Sequence, residues 1–166
     1  AKLVANPGCY VTAATFALKP LLDARLVEKK GLIVDAKSGA SGGGRKLIQQ
    51  KLEWEQSFKP YAVNGHRHQP EIEQNIKANV IFMPHLLPIY RGIIATCYAK
   101  LKRGKNLGEV QNVFKKLAAK NTFVEYVESA PELRNVIGTN KVQIFVCEDP
   151  HHDRLIVITA LDNLVK

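Results

Sequence analysis

The stretch Val142-Gln143-Ile144-Phe145-Val146-Cys147-Glu148-Asp149-Pro150-His151-His152-Asp153-Arg154-Leu155-Ile156-Val157-Ile158-Thr159-Ala160-Leu161 decides the fold. Two apolar runs rich in β-branched residues, 142–147 and 155–161, flank a polar segment, 149–153, that carries an Asp-Pro turn signal. This is the pattern of a hairpin. Strands joined so closely pair antiparallel, because a parallel return needs a crossover of a dozen or more residues. Further strands and helices lie before it, so the expected class is α+β: a mixed, largely antiparallel sheet with helices packed on one face.

Upstream, residues 92–101 read as a long, mostly buried strand. Ile93, Ala95, Cys97, Ala99 and Leu101 share one face, and Ile94, Thr96, Tyr98 and Lys100 share the other, which assigns Cys97 to the core. Segments 31–36, 79–83 and 123–127 also read as strands. Segment 61–63 reads as a short strand and 1–4 as another that opens the chain, giving six or seven in all. Helices are expected over 12–22, from about 45 to 54, from Pro70 onward, and over 107–120. In the last, Leu107, Val110, Val113, Phe114 and Leu117 form one face with Lys115, Lys116 and Lys120 outside it. No repeat or linker interrupts the pattern, so residues 1–166 are read as a single domain.

A chain of 166 residues buries roughly 70% of its unfolded surface and needs no staple. Its three cysteines, Cys9, Cys97 and Cys147, are odd in number and show neither CxxC nor zinc spacing. They point to a reducing, cytoplasmic compartment and to no structural metal. No apolar run reaches the ~20 residues that span a bilayer. The net charge of +9 is scattered, and its densest cluster, Lys100, Lys102, Arg103 and Lys105, sits at a turn. That argues against a nucleic-acid partner. Both ends read as cuts inside structure, so the chain is expected to be a fragment.

Chemistry concentrates in four places. Asn6-Pro7-Gly8-Cys9-Tyr10 sets a cysteine at a helix start, where unpaired amides and the helix dipole favour thiolate. Cys9 is therefore the candidate nucleophile, the alternative being a small buried apolar residue. Ser38-Gly39-Ala40-Ser41-Gly42-Gly43-Gly44-Arg45 joins a strand to a helix and reads as an anion cradle beginning at Ser38 and Gly39, the alternative being a flexible loop. Gly39 and Gly44 have phosphate-loop spacing, but Arg45-Lys46 replaces the Lys and Ser/Thr that a nucleotide requires. No GxGxxG occurs for a dinucleotide.

In Gly65-His66-Arg67-His68-Gln69-Pro70-Glu71, His66 and His68 share one side of an extended segment, and either suits a base for Cys9. A metal pair would lack a third ligand. Arg45 and Arg67 suit a carboxylate or phosphate. Arg91, after the prolines at 84 and 88, reads as an anion clamp, His85 as structural, and His151 and His152 as solvent-exposed.

These motifs, with Ala5 before Asn6, Ile72 after Glu71, Pro84-His85-Leu86, Arg91-Gly92-Ile93 and Asp162-Asn163-Leu164-Val165-Lys166, resemble the C-terminal half of the N-acetyl-gamma-glutamyl-phosphate reductases. Those are the arginine-pathway members of the semialdehyde dehydrogenase superfamily. Val11 stands where that family usually has proline, and Gly43 where it has alanine.

The resemblance implies a fold like the C-terminal domain of glyceraldehyde-3-phosphate dehydrogenase and a homo-oligomer, dimer or tetramer. It implies NADP(H) bound mainly by a Rossmann domain absent from this chain, which would be inactive alone. It also implies that Cys9 attacks an acyl phosphate to give a thioester, that His68 or His66 moves protons during reduction to the semialdehyde, and that Arg45, Arg67, Arg91, Ser38, Gly39 and Glu71 hold substrate. The location implied is the cytoplasm, or a plastid in a plant. An aminoadipyl-phosphate reductase of lysine biosynthesis would share the thiol chemistry, and a purely structural dimerisation domain would leave Cys9 inert.

Overall fold

The computed structural model describes residues 2–49 and 55–166. Helix α1 (Cys9–Asp23) leads into β1 (Leu32–Ser38), a 3-10 turn (Ala40–Gly43) and α2 (Gly44–Gln49). Then come β2 (Lys59–Pro60), α3 (His68–Ile76), β3 (Val80–Leu86), β4 (Ile93–Ala99), α4 (Leu107–Lys120), β5 (Val124–Tyr126), β6 (Val142–Asp149) and β7 (Arg154–Leu161). The strands form one seven-stranded sheet in the order β2-β3-β1-β4-β7-β6-β5.

The expected hairpin is present: β6 pairs antiparallel with β7 in a register running from Val142↔Leu161 to Asp149↔Arg154. Antiparallel pairs β1–β4, β4–β7 and β2–β3 complete the largely antiparallel sheet. Two pairs are parallel, β1–β3 and β5–β6. Each is joined by a connection long enough to cross over, the first carrying α2 and α3.

Alternation puts Leu32, Val34 and Ala36 of β1, Ile93, Ala95, Cys97 and Ala99 of β4, and Leu155 and Val157 of β7 on one buried face. Helix α1 packs there against β4 and β7. Its Ala13, Ala14 and Ala17 carry little bulk, so the backbone sits close to the sheet, while Val11, Leu18 and Leu21 fill the space between. Helix α4 begins with a full capping box, Asn106 accepting from the Glu109 amide and Glu109 reaching back, which fixes the start that its periodicity predicts. The opposite sheet face, with Ile33, Tyr98, Phe145, Ile156 and Ile158, is only half-covered, and Ile81 at its edge is 60% exposed.

Several expectations need correction. Residues 2–8 form no strand: Lys2, Leu3 and Val4 are exposed and pair with nothing among the described residues. The short strand is Lys59–Pro60 instead of 61–63, although the Tyr61 amide still donates to Pro84 O at 3.1 Å. The helix expected to end at 54 is described only over Gly44–Gln49, and residues 50–54 lie outside the described residues. Helix α1 starts at Cys9 rather than 12, so the cysteine is its first residue.

Candidate active site

The C-terminal ends of β1 and β3, the start of α1 and the segment before α3 enclose a cleft of about 390 Å³. Cys9, Tyr10, Ser38, Gly39, Tyr61, His66, Arg67 and His68 line it. Of the residues singled out from sequence, the fold thus gathers Cys9, both histidines, Arg67, Ser38 and Gly39 around one space.

Cys9 enters at a built corner. The Gly8 amide donates to both oxygens of Glu71, at 3.2 and 3.4 Å, which fixes the turn that precedes the thiol. The His68 ring lies flat against this glycine: a Cβ there would sit 2.6 Å from Nε2. Gly8 has φ −56°, so glycine is required by the imidazole and not by backbone strain. Burial pushes the Cys9 thiol above its ordinary value. The Tyr10 amide, Lys166, the Cys9 amide and Arg67 all pull it down without overcoming that burial. The thiolate favoured by helix position alone is corrected here: the amides act in the expected direction, but desolvation is larger.

The histidines differ. The His66 Nδ1 accepts from the His68 amide at 3.0 Å, so it caps the first turn of α3 with a lone pair. Burial, with the charges of His68 and Arg67, lowers its pKa to about 4. Its ring makes edge contacts with Tyr10, Tyr61 and Phe82. His68 is also held low, by burial and Arg67 against the opposing pull of Glu71. Its Nδ1 is buried without a hydrogen-bond partner. His66 is engaged as a cap, whereas His68 keeps a ring nitrogen without a hydrogen-bond partner.

Other expected binders are placed elsewhere. The Arg91 guanidinium is committed to buried Asp162, with Nε at 3.2 Å from Oδ1 and Nη2 at 2.5 Å from Oδ2, so it is not a free anion clamp. Glu71 is occupied by Gly8. Arg45 is exposed on α2 and does not line the cleft.

The glycine-rich turn does not present a row of free amides. Gly39, Ala40, Ser41 and Gly42 donate to Gly92, Ile89, Tyr90 and Gly39 carbonyls, which zips the turn to residues 89–92. A Cβ on Gly39 would meet the Arg91 amide at 2.6 Å, so glycine there permits that close approach.

The family model for the semialdehyde dehydrogenase dimerisation domain matches residues 9–163. The chain belongs to this family. Among curated relatives, N-acetyl-gamma-glutamyl-phosphate reductase of Clostridium novyi (strain NT) is 41% identical over 174 residues, covering 100% of this chain and 50% of the relative. That of Moorella thermoacetica is 43% identical over 176 residues, covering 100% and 51%. The chain thus spans about half the length of the curated relatives it matches. Aspartate semialdehyde dehydrogenase II from Vibrio cholerae shares its fold with a TM-score of 0.76 at 18% identity, over 98% of this chain and 58% of that one. A probable aspartate-semialdehyde dehydrogenase from Pseudomonas aeruginosa does so with a TM-score of 0.78 at 14% identity, over 98% and 57%.

Within this semialdehyde dehydrogenase domain, sequence reasoning missed Lys59 and Tyr61 as cleft residues, and gave no role to Tyr10. The Tyr10 hydroxyl donates to His85 O at 3.0 Å and accepts from the Tyr61 hydroxyl at 3.2 Å. Burial holds both phenols above their ordinary pKa. No periodicity marks Lys59 or Tyr61; they reach the cleft only because β2 adds to the edge of β3.

Proposed function

We propose that this chain is the catalytic and dimerisation half of an N-acetyl-gamma-glutamyl-phosphate reductase, with Cys9 as nucleophile and His68 as its proton partner. The observation that carries the reading is the corner itself: a cysteine at the first residue of a buried helix, with a neutral imidazole packed on the preceding glycine. His68 takes the thiol proton, which offsets the burial that disfavours the anion. The sulfur attacks the acyl carbon of N-acetylglutamyl 5-phosphate, a C–S bond forms, the C–O bond to phosphorus breaks, and phosphate leaves.

NADPH, held by a domain outside this chain, would supply the hydride for reducing the thioester to the semialdehyde, and His68 returns to the leaving sulfur the proton it took, restoring the Cys9 thiol. Arg67, at the cleft mouth, attracts the anionic substrate, and the Tyr10 and Cys9 amides, which favour the Cys9 thiolate, steady the sulfur for attack. The half-covered apolar sheet face is the surface for a second copy.

Cys9→Ser, introduced into this domain joined to its cofactor-binding half, should abolish phosphate-dependent semialdehyde turnover followed through NADPH. Retained turnover would sink the assignment. Comparing N-acetylglutamate 5-semialdehyde with aminoadipate semialdehyde in the same assay assigns the substrate.

A further inference from the structure

The segment Asp162-Asn163-Leu164-Val165-Lys166 follows β7, and the mechanism above leaves it unused. Asn163 accepts from the Gly92 amide at 2.7 Å and donates to Ser41 Oγ at 2.9 Å, which holds the glycine-rich turn against residues 89–92. Asp162 holds Arg91 and accepts from the Gly138 amide at 2.6 Å and the Leu164 amide at 2.9 Å. Lys166 reaches the other wall: its Nζ donates to Asn6 Oδ1 at 3.0 Å and to Pro7 O at 2.6 Å. Among the described residues, both hydrogen bonds that reach residues 2–7 come from this one ammonium. Those residues have no secondary structure of their own and run straight into Cys9.

We propose that Lys166 is a positioning residue for the Cys9 thiol: it pins the Asn6-Pro7 strap that enters α1 and fixes a positive charge beside the sulfur. The role rests on the reading of Cys9 as nucleophile. The charged and titratable groups around that sulfur and its cleft are Lys59, Arg67, Glu71, His66, His68, Tyr10, Tyr61 and Lys166. Glu71 is engaged by the Gly8 amide, and the two histidines are held neutral. Arg67 is an exposed side chain, whereas Lys166 is anchored by two acceptors. The same ammonium favours the thiolate of Cys9 and disfavours the protonated form of His68, so one charge serves both members of the pair.

The test is mass-resolved iodoacetamide labelling of the 166-residue chain across pH, comparing the unsubstituted chain with Lys166→Met and Lys166→Arg. Cys147, distant on β6, serves as the internal control, and hydrogen exchange of residues 2–8 is read alongside. Lys166→Met should slow Cys9 labelling by roughly threefold at a pH below the thiol pKa, move its curve to higher pH, and raise exchange in 2–8, with Lys166→Arg recovering most of the labelling. Cys147 should label alike in all three. An unchanged Cys9 curve in Lys166→Met overturns the positioning role while leaving the nucleophile intact. Equal slowing in both variants overturns the charge contribution. A Cys9 that resists labelling in the unsubstituted chain overturns the nucleophile reading itself.

Discussion

Two hollows lie at opposite ends of the same central strands. The one around Cys9 is about 390 Å³, whereas the one between the β6–β7 turn and residues 100–105 is about 970 Å³. The larger is walled by exposed charges: Lys100 meets Asp153 at 3.0 Å with side chains 53% and 71% exposed, and His152 meets Asp149 at 2.8 Å on the surface. Water screens such pairs and leaves their side chains loosely held. At the smaller hollow, buried and half-buried side chains bond to backbone: Asp162 to Gly138 and Leu164, Asn163 to Gly92, Glu71 to Gly8. Reactivity follows from groups held in place and partly desolvated, and volume alone is no guide to it.

The contrast can be broken most directly at Asp162. Burial raises this carboxyl, yet the Gly138 and Leu164 amides and Arg91 outweigh it and hold the group below its ordinary pKa. Asp162→Ala would leave Arg91 and two amides without their acceptor. The loss should be about 3 kcal/mol, the low end for a broken buried pair because Arg91 keeps some water contact. Thermal unfolding should shift down by roughly 6–12 °C.

Next in size, Gly8→Ala forces a Cβ against His68 and should cost about 1–3 kcal/mol of overpacking, with a changed Cys9 labelling rate as the local readout. A change confined to stability, with labelling untouched, would show that the corner tolerates displacement.

A pH titration sharpens the comparison further. The folded His66 has a pKa of about 4 against 6.5 unperturbed, so between these values the unfolded chain binds a proton that the folded chain does not. Stability from this group is therefore complete above about 6.5 and is lost as pH falls toward 4. Denaturant midpoints across that window should fall, and His66→Gln should flatten the slope. The smallest effect belongs to the other end: Asp153→Asn, which keeps a residue that tolerates the left-handed φ of 51° there, should change stability by no more than about 0.5 kcal/mol, and a larger loss would erase the distinction.

Much of the framework was legible because it rests on local periodicity. The strand runs of β1, β4, β6 and β7, the alternation of β4 and the apolar face of α4 were read from neighbouring residues, and Cys97 lies fully buried as its phase in β4 requires. The parallel pairings were not legible, since β1 finds β3 across a long crossover that no local pattern specifies. The motifs marked the cleft, but not the division of labour within it. Arg91 and Glu71 carry the charges that substrate binding calls for, yet each is taken by a partner far away in sequence: Asp162 and Gly8. The Cys9 thiol likewise depends on burial by tertiary neighbours, which a helix-start argument leaves out.

The place of β7 in the sheet sets a timetable. It is the final strand in the chain, but it sits between β4 and β6 and alone joins the β2-β3-β1-β4 group to the β6-β5 pair. At ribosomal rates of about 5–20 residues per second, the end of β4 precedes the end of β7 by roughly 3–12 s. Through that interval β4 presents an unpaired edge to every other nascent chain nearby. The sheet can close only after residue 161 is made, so its two groups of strands join late and not progressively along the chain.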